Sequence, residues 1–135
     1  MHSAKILILD DDPAIGEMLG EMLDLLGHCP TSCQDPAEAL RLIQHQQFDL
    51  ILSDYRMPGM QGNEFYRQVY LVQPDLARRV VFLTGDILSE DTQFFVKATG
   101  NPHLLKPFRL SNVKELLSRL LGEATSEAAL RLTPA

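Results

Sequence analysis

Two kinds of apolar pattern share this chain. Unbroken apolar runs end in polar residues at Lys5-Ile-Leu-Ile-Leu-Asp10, Leu50-Ile-Leu-Ser53 and Val80-Val-Phe-Leu-Thr84. Such runs do not alternate with polar positions, which predicts strands buried on both faces. Elsewhere apolar residues recur every three or four positions. Ile15, Met18, Leu19, Met22, Leu23, Leu25 and Leu26 predict a helix over residues 13–26, with Pro13 in its first turn and Gly27 at its end. A second helix begins at Asp35-Pro36 and continues through Ala39, Leu40, Leu42 and Ile43. A third covers residues 63–72 and stops before Pro74, a fourth covers 89–99 and ends at Gly100, and the last covers 111–121. Residues 28–32 and 103–105 supply two weaker strands. Five strands alternating with five helices predict an α/β fold, a parallel sheet with helices on both faces. Residues 1–121 are expected to form one domain, with 122–135, including Leu130 and Leu132, as a C-terminal tail or an extension of the last helix.

Composition narrows the class. A chain of 135 residues can bury an ordinary core without disulfides or structural metal. The formal charge of -6 argues against a nucleic-acid surface, and Arg78-Arg79 is only a local basic pair. No apolar run is long enough to cross a bilayer, so no membrane contact is expected of this domain. The N-terminus leads into the first strand without the features of a signal peptide, which implies a cytoplasmic location. Cys29 and Cys33 are then expected to be reduced; with His28 they would still lack the further ligands of a zinc site.

The chemistry lies where strands end. Asp10, Asp11 and Asp12 follow the first strand, Asp54 follows the third, and Thr84 ends the fourth. The carboxyl ends of strands in an open parallel sheet line one crevice, so these residues are predicted to converge. Adjacent carboxylates disfavour one another's ionisation unless a cation or a lysine stands among them. Asp12 also occupies the position of a helix N-cap.

In these residues the chain resembles the receiver domain of two-component response regulators, over residues 4–121. The resemblance rests on the acidic pair Asp10 and Asp11, on Asp54 followed by Met57-Pro58-Gly59, on Thr84, and on Lys106-Pro107. It implies a flavodoxin-like (βα)5 three-layer sandwich with sheet order 2-1-3-4-5. It also implies that Asp54 is the phosphoacceptor and that Asp11, Asp54 and the backbone carbonyl of Arg56 ligate magnesium, with Asp10 acting through water and manganese as an acceptable substitute. Lys106 would hold a phosphoryl oxygen, and the bond to Pro107 would be cis. Thr84 would move toward the phosphoryl group and the residue three before the lysine would follow. Here that residue is His103 in place of the usual aromatic, so the switch either acquires altered packing and some pH dependence or leaves His103 exposed without a signalling role. Gly85 would leave room for the phosphoryl group. Arg56 and Asp86 stand where the family tunes attack by water.

The implied protein is a phosphoacceptor with self-catalysed phosphotransfer and slow self-dephosphorylation, not an independent enzyme. Its implied partners are a histidine kinase or histidine phosphotransfer domain, docking near Ile15 and Met18, and an unidentified downstream protein on the face formed by residues 89–99, 103–105 and the last helix; whether a second copy joins it in a homodimer stays open. The stretches Leu83-Thr-Gly-Asp-Ile and Thr99-Gly-Asn-Pro-His-Leu-Leu-Lys-Pro-Phe108 resemble C-terminal receivers of hybrid sensor histidine kinases, leaving open a hybrid-kinase segment or a free-standing regulator. Two other readings stay open. A haloacid-dehalogenase-like phosphatase would use Asp10 and Asp12, although Ala14 stands where that class has Thr or Val. A docking module that is never phosphorylated is the other.

Overall fold

The computed structural model describes residues 3–85 and 90–122. The strands are β1 (Lys5–Leu9), β2 (Cys29–Cys33), β3 (Leu50–Asp54), β4 (Val80–Thr84) and β5 (His103–Leu105). All neighbours pair parallel, in the order β2-β1-β3-β4-β5. The helices are α1 (Pro13–Leu25), α2 (Pro36–His45), α3 (Gly62–Val72), α4 (Pro74–Ala77), α5 (Glu90–Thr99) and α6 (Leu110–Leu117), and α6 passes into a wider π-type turn at Ser118–Gly122.

Strand geometry explains the two cores. Successive side chains point to opposite faces, so Leu7, Leu9, Ile51, Val80 and Phe82 join Phe65 and Val69 of α3 and Ile43 of α2 on one side. Ile6, Ile8, Leu50, Leu52, Val81 and Leu83 meet Leu19 and Leu23 of α1 and Val113, Leu116 and Leu117 of α6 on the other. Each fully buried Leu, Ile or Phe contributes about 2 kcal/mol of transfer free energy. This two-sided burial is why the runs read from the sequence lack alternation.

Local signals place the helix ends. Asp12 accepts from the Ala14 N–H at 3.0 Å and Asp35 from the Ala37 N–H at 3.2 Å, each with proline as the next residue. At α6, Asn112 accepts from the Arg109 N–H at 2.8 Å.

Three expectations need correction. Strand β2 lies one residue later than 28–32, because this half-exposed edge strand carries Pro30 and offers little periodicity. Pro74 ends α3 and also opens the one-turn α4, so the described helices number six rather than five. The α-helical part of the last helix starts at Leu110 and gives way to the π-type turn after Leu117, instead of running over 111–121.

Candidate functional site

The sheet order puts the carboxyl ends of β1 and β3 side by side at the point where the chain reverses its winding direction, which is where ligands bind in open α/β sheets. Asp10 follows β1, Asp54 ends β3, Thr84 ends β4 and Lys106 follows β5. Asp10 is 1% exposed, Asp54 7% and Thr84 4%, so the strand ends carry polar groups into the core's margin. Asp11 is exposed at the mouth.

The fold supplies partners for this buried charge. Lys106 Nζ donates to Asp10 Oδ2 at 2.8 Å and lies 3.3 Å from Asp54 Oδ1. The other Asp10 oxygen accepts from the Asp12 N–H at 2.9 Å. The Lys106 N–H donates to the Thr84 carbonyl at 2.8 Å, tying the start of this loop to the end of β4. The Lys106–Pro107 peptide bond is cis.

Asp10, Asp11 and Asp54 each bring one carboxylate oxygen into a group whose members all lie within 4.8 Å of one another. One lysine cannot neutralise three carboxylates. Burial, followed by the charge of Asp10, raises the Asp54 carboxyl to about 6, against the opposing pull of Lys106. Burial works against the Lys106 ammonium, but its bond to Asp10 and the charges of Asp54 and Asp10 outweigh it and raise its pKa. A group of hard oxygen donors with excess negative charge suits a small divalent cation that keeps several waters.

The remaining sequence-predicted residues spread outward. Arg56 is exposed two positions beyond Asp54, and Gly85 is exposed beside Thr84. A Cβ at Gly85 would meet Lys106 Cβ at an ordinary 3.9 Å. Thr84 and His103 line one cavity of about 270 Å³, together with Thr92, Val96 and Lys97, and the His103 side chain is exposed. Ile15 and Met18 are half-buried against the core beneath α1. Asp86 lies outside the described residues, as do 123–135 with Leu130 and Leu132. Cys29 is exposed, and burial pushes the Cys33 thiol up to about 12.

Sequence reasoning missed several residues, two beside the cleft and one at the opposite edge of the sheet, where β4 and β5 begin. Thr92, 2% exposed, shares the cavity wall with Thr84, although in the sequence it reads as an ordinary first-turn residue of α5. Tyr55 packs on Phe82 and Phe95 with ring centroids 5.9 and 5.7 Å apart. Asn101 Nδ2 donates to the carbonyls of Ala77 and Val80, both at 2.8 Å, and so holds the turn that leads into β4. Only the position of Asn101 just after a helix-ending glycine hinted at a special role.

Known proteins share this fold. The family model of the response regulator receiver domain matches residues 6–118. The transcriptional regulatory protein GlrR of Escherichia coli K12 is 35% identical over 82 residues, 61% of this chain and 18% of that protein. The chain thus spans under a fifth of that relative's length. The chemotaxis protein CheY4 of Vibrio cholerae superposes with a TM-score of 0.79 at 32% identity, covering 88% of this chain and 99% of that one. The receiver domain of a sensor histidine kinase of Pseudomonas aeruginosa PAO1, solved with magnesium coordinated in its active site cleft, has a TM-score of 0.78 at 29% identity over 90% of this chain and 99% of that one. Among the described residues no helix is long and apolar enough to cross a membrane. With its strand order, its acidic strand ends and the family match in agreement, this chain belongs to the response regulator receiver domain family of two-component signalling.

Proposed function

We propose that Asp54 accepts a phosphoryl group from a phosphohistidine of a kinase or phosphotransfer domain, and that the resulting acyl phosphate switches a protein-interaction surface. The observation that carries this reading is the Lys106 ammonium, 2.8 Å from Asp10 and 3.3 Å from Asp54, at the edge of a three-carboxylate cluster. An Asp54 oxygen attacks phosphorus while the bond from phosphorus to the histidine nitrogen breaks, and the imidazole keeps the electron pair. Catalysis of such a transfer is mostly positioning and charge neutralisation. Burial holds Asp54 in place, Lys106 faces the charge that develops on a phosphoryl oxygen, and the Thr84 hydroxyl can donate to another.

Asp11, Asp54 and the Arg56 carbonyl, with Asp10 through water, would hold magnesium, which when bound supplies neutralisation that one lysine cannot. Manganese offers the same preference for oxygen ligands. The metal in the Pseudomonas relative supports this assignment. Asp12 is engaged at the N-terminus of α1, which disfavours a phosphatase built on Asp10 and Asp12. Thr84 and His103 share a cavity wall, which supports a switch that runs from β4 to β5. Relatives of both kinds, the chemotaxis protein CheY4 and the receiver of a sensor histidine kinase, fit a free-standing regulator and a hybrid-kinase segment alike.

The reading is tested by intact mass after incubation with phosphoramidate and magnesium. One added phosphoryl group is expected, and none with EDTA or in Asp54→Asn. Phosphate release from phosphomonoesters without a mass gain would favour the phosphatase, and no change in a folded protein would favour a docking module.

A further inference from the structure

A cavity of about 380 Å³ opens beside the acidic cleft, between the loop after β3 and the first turns of α3 and α5. Its wall carries two guanidinium residues, Arg56 and Arg67, one carboxylate residue, Asp91, the amide of Asn63, and the rings of Tyr55 and Phe94.

Two features distinguish this cavity from a solvated surface dip. Phe94 is 75% exposed at its wall, a large aromatic area left in water. The adjoining Phe95 is fixed, with ring centroids 5.7 Å from Tyr55, 5.5 Å from Tyr66 and 5.3 Å from Phe82, so the aromatic side of the cavity is backed by the core. The volume lies within the range of small-molecule sites, which runs from about 300 to 1,000 Å³.

We propose that this cavity binds a planar aromatic small molecule that carries both an anionic group and ring-edge N–H donors, the chemistry of a guanine nucleotide. Guanidinium groups match phosphate oxygens with paired hydrogen bonds. A carboxylate matches two adjacent N–H donors on a ring edge. The ring itself stacks on Phe94. Mixed charge sets the specificity: Asp91 repels a ligand that is only anionic, and the arginines repel one that is only cationic. Thr92 is the one fully buried residue of α5, with Phe95 and Val96 packed partly buried on the core, and a ligand spanning Arg67 on α3 and Asp91 on α5 would add a tie between the two helices.

The test is an amide NMR titration of the full chain, metal-free and unphosphorylated, so that its outcome is independent of the role proposed for Asp54. GMP is the probe, with guanosine, AMP and inorganic phosphate as comparators. Saturable shifts at Asn63, Arg67, Asp91 and Phe94 are expected with GMP, with a Kd below about 1 mM. Arg67→Ala, Asp91→Asn, guanosine and AMP should each weaken binding by about tenfold or more. The comparators act on the unaltered chain, so they decide the matter even if a variant folds poorly. Absence of shifts at several millimolar GMP, equal shifts with phosphate alone, or equal binding of AMP would overturn the proposal.

Discussion

Replacing Asp54 with asparagine should stabilise the metal-free protein at pH 8. The Asp54 carboxyl is raised from 3.8 to about 6 in the folded chain, chiefly by burial and then by the charge of Asp10. At about 1.4 kcal/mol per pH unit, ionising it in the folded state costs about 3 kcal/mol relative to the unfolded chain. Water entering past the exposed Asp11 screens part of that repulsion, which leaves about 2 kcal/mol. Asparagine keeps the shape and removes the charge, while Lys106 retains its 2.8 Å bond to Asp10. A urea m-value of about 2 kcal/mol/M converts the gain to a midpoint about 1 M higher. The pH dependence follows from the raised folded-state value. Below about pH 4 the carboxyl is protonated in both states and its favourable contribution is complete; as pH rises through about 6 the folded form must ionise, and that contribution is lost. The gap between Asp54→Asn and the unaltered chain should therefore open between about pH 4 and 6 and stay open above. Urea melts in EDTA across this range measure it. Equal midpoints at pH 8, or a less stable asparagine variant, would refute the reasoning.

Lys106→Met removes the counter-charge of a buried carboxylate, and at pH 8 in EDTA it should cost about 3 kcal/mol, measured by urea unfolding, with magnesium restoring part of the loss. Asn101→Ala leaves the Ala77 and Val80 carbonyls without their side-chain donor and should cost about 2 kcal/mol by the same measurement. Gly62→Ala would place a Cβ 2.8 Å from the Tyr55 Cα, so thermal melting should show a loss of about 1–3 kcal/mol despite alanine's better helix propensity.

The strands that carry the site were legible because two-sided burial writes itself as unbroken apolar runs, and β1, β3 and β4 are of that kind. Strand order became accessible only through the family resemblance, since periodicity does not say which strands pair. The edge strand β2 was displaced by a residue because Pro30 and partial exposure blur its signal. Pro74 was read as a stop, yet proline suits a helix's first turn equally well, and the choice depends on the packing of Leu76 and Ala77. Strand-end acids are visible in a sequence because parallel topology gathers them. The burial of Thr92, the double hydrogen bond of Asn101 and the aromatic contacts of Tyr55 are set by partners far along the chain, and no local pattern encodes them.

The central claim is that the acyl phosphate forms on Asp54, and borohydride reduction locates it most directly. After phosphorylation with magnesium present, reduction converts an aspartyl phosphate to homoserine, and peptide mapping identifies the position. Homoserine at position 54 alone is the predicted result. Homoserine at position 10, as a phosphatase nucleophile would give, or a phosphoryl group retained on the neighbouring Ser53, would contradict the account.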